Sequence, residues 1–74
     1  MSEVKVMNFR RQVIGYIDTR PDGTKIAKDF YRRKLGEYSP RSDVTKDFYG
    51  HIVAHGDQTA MLINMQYAET HKIN

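Results

Sequence analysis

The strongest constraint on this chain is a tetrapeptide that occurs twice. Lys28-Asp29-Phe30-Tyr31 returns as Lys46-Asp47-Phe48-Tyr49, eighteen positions later. A weaker copy runs through Asn8-Phe9-Arg10-Arg11, and the last copy keeps only Tyr67. A unit of this size cannot bury an apolar face alone, so successive units must pack on one another. The sequence therefore predicts an architecture built from small repeated elements.

Each copy has the composition of a β-hairpin. β-branched and aromatic residues alternate with polar ones over runs of four to seven residues between turn residues. Asp47-Phe48-Tyr49-Gly50 suits a type I turn, because the side chain of the leading aspartate can accept backbone hydrogen bonds. Asp29-Phe30-Tyr31-Arg32 is predicted to turn in the same way. A strand that runs straight through Asp-Phe-Tyr is the competing local assignment.

The predicted fold class is all-β: a small repeat domain of about four irregular hairpin-like units, which could close around a pseudo-fourfold axis. The single domain spans 1–74, with units at about 4–20, 24–41, 43–57 and 59–67 and flexible tails at 1–3 and 69–74. The repeat register makes residues 60–66 a strand. A short C-terminal helix over residues 59–70 is the minor alternative, since glycine and proline interrupt the chain before it.

A family resemblance rests on five short segments. They are Gly15-Tyr16-Ile17, Lys28 to Tyr31, Leu35-Gly36-Glu37-Tyr38, Thr45 to Gly50 and Gly56-Asp57. Together they make the chain similar to the bacterial domains called fourfold beta-flower proteins, over roughly residues 13–63. Arg32 departs from that pattern at a turn glycine, and Met65-Gln66 departs from it in the last copy. The resemblance implies a fold, and it brings no catalytic residues to this chain.

Composition limits the kinds of covalent cross-link, metal site and cellular location that we expect for the protein. The chain has no cysteine, which excludes disulfides and thiolate metal sites. No window approaches a membrane span, and the N-terminus lacks the apolar core of a secretion signal, so we expect a soluble cytoplasmic protein without membrane contact. A chain of 74 residues buries only about 60% of its unfolded surface, so contact with a second copy would add stability.

Reactive side chains do not form a recognisable catalytic or metal set. His51 and His55 would stand about 13 Å apart on one strand, too far to share a zinc ion. Asp29, Asp47 and Asp57 invite comparison with catalytic carboxylates, but an aspartate that recurs at one turn position is more simply a backbone acceptor. We therefore predict no enzyme activity, no metal, no cofactor and no small-molecule ligand.

Tyrosines point to protein binding as the leading function. Each offers a large rigid surface with a polar tip, and the candidate interface residues are Tyr16, Tyr31, Tyr38 and Tyr49. The loops at 20–23 and 39–42 are either further contact points or simple connections. The sequence predicts a noncatalytic protein-interaction or assembly module whose partner is a second copy or another protein.

The alternative function is that of a small basic nucleic-acid-binding protein with an aromatic and arginine/lysine surface. Single-stranded nucleic acid is held by cations along its backbone and by rings that stack on bases. The candidate contacts are Phe9, Arg10, Arg11, Tyr31, Arg32, Arg33 and Lys34. A net charge of +3 is modest for phosphate recognition. The competing interpretation expects Phe30 and Phe48 in the core, with lysines and arginines shielding the strand edges.

Overall fold

The computed structural model describes residues 2–70, which form six strands followed by one helix. The elements are β1 (Ser2–Met7), β2 (Val13–Thr19), β3 (Lys25–Asp29), β4 (Lys34–Ser39), β5 (Val44–Asp47), β6 (Ile52–His55) and α1 (Thr59–Thr70). The strands pair antiparallel in chain order, as short hairpin connections require. The all-β prediction is confirmed in part, since the described residues are mostly β but include one helix. The sheet is open, with edges at β1 and β6, and closure around a fourfold axis is not seen in residues 2–70.

Helix α1 stands where the sequence predicted a fourth hairpin unit. The strand predicted over residues 60–66 is wrong, and the helix weighed as the minor alternative is what forms. Ala60, Met61 and Leu62 favour a helix, and no glycine or proline interrupts the segment. Asp57 caps its start, because the Asp57 carboxylate accepts hydrogen bonds from the Thr59 hydroxyl at 2.8 Å and the Thr59 backbone N–H at 3.2 Å.

The core lies between α1 and the middle of the sheet, where the helix contacts β2, β3 and β4. Leu62 and Ile63 of the helix pack with Ile14 and Ala27. Gly36 faces the helix, and a Cβ atom there would lie 2.7 Å from the Leu62 methyl group and closer still to a backbone carbonyl of β5. Small residues under the helix therefore let it approach the sheet closely.

The phenylalanines lie outside this core. Phe30 and Phe48 are both more than half exposed, so the expectation that they form the core is wrong. Both residues lie in hairpin turns at one end of the sheet. Phe30 follows the last residue of β3, and Phe48 follows the last residue of β5, whereas α1 packs on β2, β3 and β4. Aliphatic residues of the strands and helix fill the interior instead.

Parts of the segments predicted as tails belong to regular secondary structure. Ser2 and Glu3 belong to β1, where Glu3 lies opposite Asp18 and its carboxylate accepts hydrogen bonds from the Arg32 guanidinium at 2.6 Å. Residues 69–70 belong to α1, whereas residue 1 and residues 71–74 lie outside the described part of the chain. Among the described residues, no helix has the length and apolar content that a membrane crossing requires.

Candidate interaction surface

Three hairpin turns share one backbone hydrogen-bond pattern. We call them turn 1 (residues 8–11), turn 2 (29–32) and turn 3 (47–50). In turn 2 the Arg32 N–H donates to the Asp29 carbonyl at 2.9 Å, and the Asp29 N–H donates to the Arg33 carbonyl at 3.0 Å. Turns 1 and 3 repeat both bonds. The fourth residue of each turn is left-handed, with φ of 62° at Arg11, 67° at Arg32 and 84° at Gly50, as three-residue hairpin loops require.

The leading side chain of each turn fixes the backbone that follows it. The Asp29 carboxylate accepts hydrogen bonds from the Tyr31 N–H at 2.8 Å and from the Arg33 N–H at 2.9 Å. The same two bonds are made by Asp47 with Tyr49 and His51, and by Asn8 with Arg10 and Gln12. The predicted role of Asp29 and Asp47 as backbone acceptors is confirmed. Each turn is therefore held rigidly by its own first residue.

A β-bulge follows each turn at the same offset. The strand register skips Ile14 between β1 and β2, Leu35 between β3 and β4, and Val53 between β5 and β6. Bulges increase the local twist and redirect the strand. The three hairpins thus share their turn, its left-handed residue and the irregularity that follows it.

The three turns lie at the same end of the sheet, since a meander places alternate connections together. We call them collectively the tip row. Equivalent positions are two strands apart, which corresponds to about 10 Å. The tip row carries five exposed aromatic side chains: Phe9 (91% exposed), Phe30 (55%), Tyr31 (76%), Phe48 (63%) and Tyr49 (80%).

The rings in turns 2 and 3 are arranged alike. Phe30 and Tyr31 pack edge to face with their centroids 5.5 Å apart, and Phe48 and Tyr49 do so at 5.4 Å. Edge-to-face packing is a favourable arrangement of aromatic rings. Each ring pair therefore forms a small preformed apolar knob on its turn.

Three of the five basic residues in the predicted nucleic-acid surface already contact carboxylates. The Arg32 guanidinium folds back over the Tyr16 ring at 4.1 Å and pairs with Glu3, whose hydrogen bonds raise the pKa of Arg32. The Arg33 Nε atom donates to Asp29 at 2.8 Å, and the Lys34 ammonium donates to Glu37 at 2.6 Å.

The remaining two basic residues, Arg10 and Arg11, belong to turn 1. They have no ion pair among the described residues. The Arg10 guanidinium lies 5.6 Å from the centre of the Phe9 ring. Turn 1 therefore presents an aromatic ring beside uncompensated positive charge.

The structure brings together two of the four tyrosines predicted at a protein interface. Tyr31 and Tyr49 are in the tip row. Tyr16 lies in the middle of β2 under Arg32, and the Tyr38 hydroxyl on β4 donates to Asp43 at 2.8 Å. That hydrogen bond raises the pKa of Tyr38. Tyr16 and Tyr38 are thus engaged within the fold.

A groove of about 670 Å³ opens between turns 1 and 2 and the C-terminal part of α1. Its walls include Ile14, Phe30, Tyr31, Arg33 and Tyr67. The Asn8 side-chain amide donates to the Tyr67 hydroxyl at 3.4 Å, which connects the helix to turn 1. Sequence reasoning treated Tyr67 as the remnant of a fourth repeat, and no local signal placed it beside turn 1.

The two histidines and Asp57 have different surroundings in the structure. His51 and His55 are exposed, and residues 2–70 contain no cluster of three side chains suited to a metal ion. Burial raises the pKa of Asp57, but hydrogen bonds from Lys25 and Thr59 outweigh burial and leave that pKa lowered. Asp57 therefore remains ionised while it caps α1 and pairs with Lys25 at 2.6 Å.

Comparison with known protein families, curated proteins and solved structures finds no match to this chain. The resemblance to fourfold beta-flower domains therefore stays a prediction.

Proposed function

We propose that this protein is a noncatalytic protein-interaction or assembly module that binds its partner through the tip row. One observation carries the proposal: five exposed aromatic side chains stand on three hairpin turns at one end of the sheet. Aromatic rings contribute large contact areas and dominate the binding energy of many protein interfaces. Contiguous exposed apolar surface is typical of interaction sites.

Preorganisation of the turns supports the proposal. Asn8, Asp29 and Asp47 each hold two backbone N–H groups of their turn. Ordering a flexible loop on binding costs free energy, and a loop that is already fixed avoids most of that cost. The aromatic rings are therefore presented on backbone that needs little rearrangement.

The other end of the sheet differs in its side chains and not in the backbone of the turn at residues 20–24. The Gly23 N–H donates to the Arg20 carbonyl at 2.9 Å and the Arg20 N–H donates to the Thr24 carbonyl at 2.8 Å, as in turns 1 to 3, and Gly23 is left-handed with a φ of 94°. The hairpin connections at this end, at residues 20–24 and 40–43, contain no aromatic residue. They consist of arginine, proline, glycine and short polar residues, as expected of simple connections. The contrast supports the tip row as the binding end.

Nucleic-acid binding is the second candidate, and turn 1 favours it. Arg10 and Arg11 are not neutralised by any described carboxylate, and Phe9 beside them could stack on a base. Against it, a phosphate group at turn 2 would compete with Glu3 for Arg32 and with Glu37 for Lys34. The exposed rings extend over all three turns, whereas the uncompensated charge is confined to one, so protein binding ranks first.

The test compares the wild type with Tyr31→Ala/Tyr49→Ala and with the control Pro40→Ala/Arg41→Ala at the opposite end. Sedimentation velocity over a concentration series measures self-association. Panning of a displayed random-peptide library measures binding to other sequences. We expect at least one of these interactions to weaken about tenfold or more in the tyrosine variant and to stay unchanged in the control, because interface aromatics commonly contribute more than about 1 kcal/mol each. Circular dichroism checks that both variants fold.

Absence of any interaction that depends on the tyrosines would contradict the proposal. Oligonucleotide binding that falls steeply with salt, and that Arg10→Gln/Arg11→Gln removes, would support the second candidate instead.

A further inference from the structure

We infer that the groove beside turn 2 binds a partner segment that carries an apolar side chain next to a carboxylate group. The inference rests on the proposed function, since it names the chemistry of the protein partner that the tip row would contact. It follows from the shape of the groove, from the hydrogen-bond donors that Arg33 leaves unused, and from the charged side chains nearby.

The groove has the size and lining of a site for one large side chain and its flanking backbone. Its volume of about 670 Å³ lies within the usual range for ligand sites. Val13, Ile14 and the ring of Phe30 supply apolar wall. Phe30 is held against Tyr31, so this wall belongs to one of the preformed aromatic knobs. An apolar side chain that entered the groove would be removed from water on several sides.

Arg33 supplies the polar end of the site. Its Nε atom donates a hydrogen bond to the Asp29 carboxylate at 2.8 Å, and its guanidinium lies 5.4 Å from the centre of the Tyr31 ring. Among the described residues, its two Nη groups make no hydrogen bond, and the side chain is 69% exposed. A guanidinium presents its donors in a fork that matches the two oxygens of a carboxylate. Asp29 therefore holds the Arg33 side chain in place through Nε, while the two Nη groups face solvent.

Asp29 does not oppose an incoming anion in the way an exposed carboxylate would. It is only 5% exposed, and its oxygens accept bonds from the Tyr31 N–H, the Arg33 N–H and the Arg33 Nε atom. Its charge is directed into the turn. Arg10 and Arg11 on neighbouring turn 1 add positive charge without a described counter-ion. Charge complementarity thus selects an anionic partner, and aspartate, glutamate and the terminal carboxylate are the anions of an unmodified protein.

Two acetylated and amidated peptides test the inference by NMR titration of the isotope-labelled protein. One alternates phenylalanine with glutamate, and the other alternates phenylalanine with glutamine. We expect the glutamate peptide to shift the backbone amides of Ile14, Phe30 and Arg33 saturably. Its Kd should be at least about tenfold lower than that of the glutamine peptide, since hydrogen bonds to charged groups are stronger than those to neutral amides.

The variant Arg33→Lys separates the forked contact from charge alone. Lysine keeps the positive charge but cannot bond a carboxylate through two parallel donors. We expect the glutamate peptide to bind Arg33→Lys at least threefold more weakly than wild type, with no change for the glutamine peptide. The matched control Arg41→Lys, at the opposite end of the sheet, should bind both peptides as wild type does.

Equal affinity for the two peptides, or shifts confined to residues outside the groove, would overturn the inference. So would displacement of the peptide by a single-stranded oligonucleotide with steep salt dependence, because the groove would then select phosphate. Loss of association in Tyr31→Ala/Tyr49→Ala without any preference for glutamate would overturn this inference alone. Unchanged association in that variant would instead overturn the proposed function.

Discussion

The helix-covered middle of the sheet and the tip row use opposite kinds of residue. Under the helix, Gly36 and Ala27 face Leu62 and Ile63, and the close approach depends on small residues. In the tip row, rings with large apolar surface stand in solvent. Aromatic side chains ordinarily supply much of a small core. Here the interior is stabilised without phenylalanine, so stability and binding are assigned to separate parts of the chain.

The largest expected effect comes from filling the space under the helix with Gly36→Ala. The added Cβ would overlap a backbone carbonyl of β5 and lie 2.7 Å from the Leu62 methyl group. Because backbone cannot move aside cheaply, we expect a loss of at least about 3 kcal/mol in the free energy of unfolding. Urea unfolding followed by circular dichroism measures it.

Gly50→Ala in turn 3 is the matched control for that substitution. A Cβ there meets nothing within 4 Å, and only the φ of 84° is unfavourable. We expect a loss of about 1 kcal/mol from backbone strain. Equal losses in the two variants would show that the helix does not need its close approach to Gly36.

A smaller loss of stability is expected when the buried Asp29 carboxylate, which accepts the hydrogen bonds of turn 2, is removed. Asp29→Ala leaves the Tyr31 and Arg33 N–H groups without their side-chain acceptor, and we expect a loss of about 2 kcal/mol in unfolding free energy. Asp47→Ala removes two equivalent bonds from a more exposed side chain, and about 1 kcal/mol is expected. Urea unfolding of both variants measures the difference. A greater loss at Asp47 would contradict the role of burial in this comparison.

The smallest expected effect is a gain at the left-handed position of turn 1. Arg11→Gly relieves a φ of 62° without removing any ion pair among the described residues, and we expect about 0.5 kcal/mol of added stability. Arg32→Gly relieves similar strain but removes the contacts with Glu3 and Tyr16, so its gain should be smaller or reversed. Thermal unfolding of the two variants resolves the order. A larger gain from Arg32→Gly would show that those contacts do not stabilise the fold.

Local features of the fold were predictable from the sequence. An aspartate followed by two aromatics and a glycine determines its own turn, because all the hydrogen bonds of that turn lie within five residues. The same reasoning extended correctly to Arg32 in place of glycine. Periodic β-branched residues likewise predicted most of the strands.

The helix and the exposure of the rings depend on contacts that local reasoning does not supply. Leu62 occupies the repeat position of Ile26 and Val44, and an apolar residue there suits a strand or a helix equally well. Whether Phe30 is buried depends on how far α1 extends over the sheet. The pairing of Arg32 with Glu3 joins residues 29 positions apart and requires the strand order to be known. These are tertiary effects, and sequence reasoning from neighbouring residues alone does not reveal that Arg32 is already paired.

The order of the strands also gives the molecule a polarity for attachment. Ser2 pairs with Thr19 beside the connection at residues 20–24, so β1 begins at the end of the sheet remote from the tip row. Helix α1 starts near Lys25 and runs back until Tyr67 meets Asn8 of turn 1. A domain or surface joined ahead of Ser2 would leave the aromatic turns facing away from the junction, whereas Gln66 and Tyr67 near the end of α1 lie beside the groove.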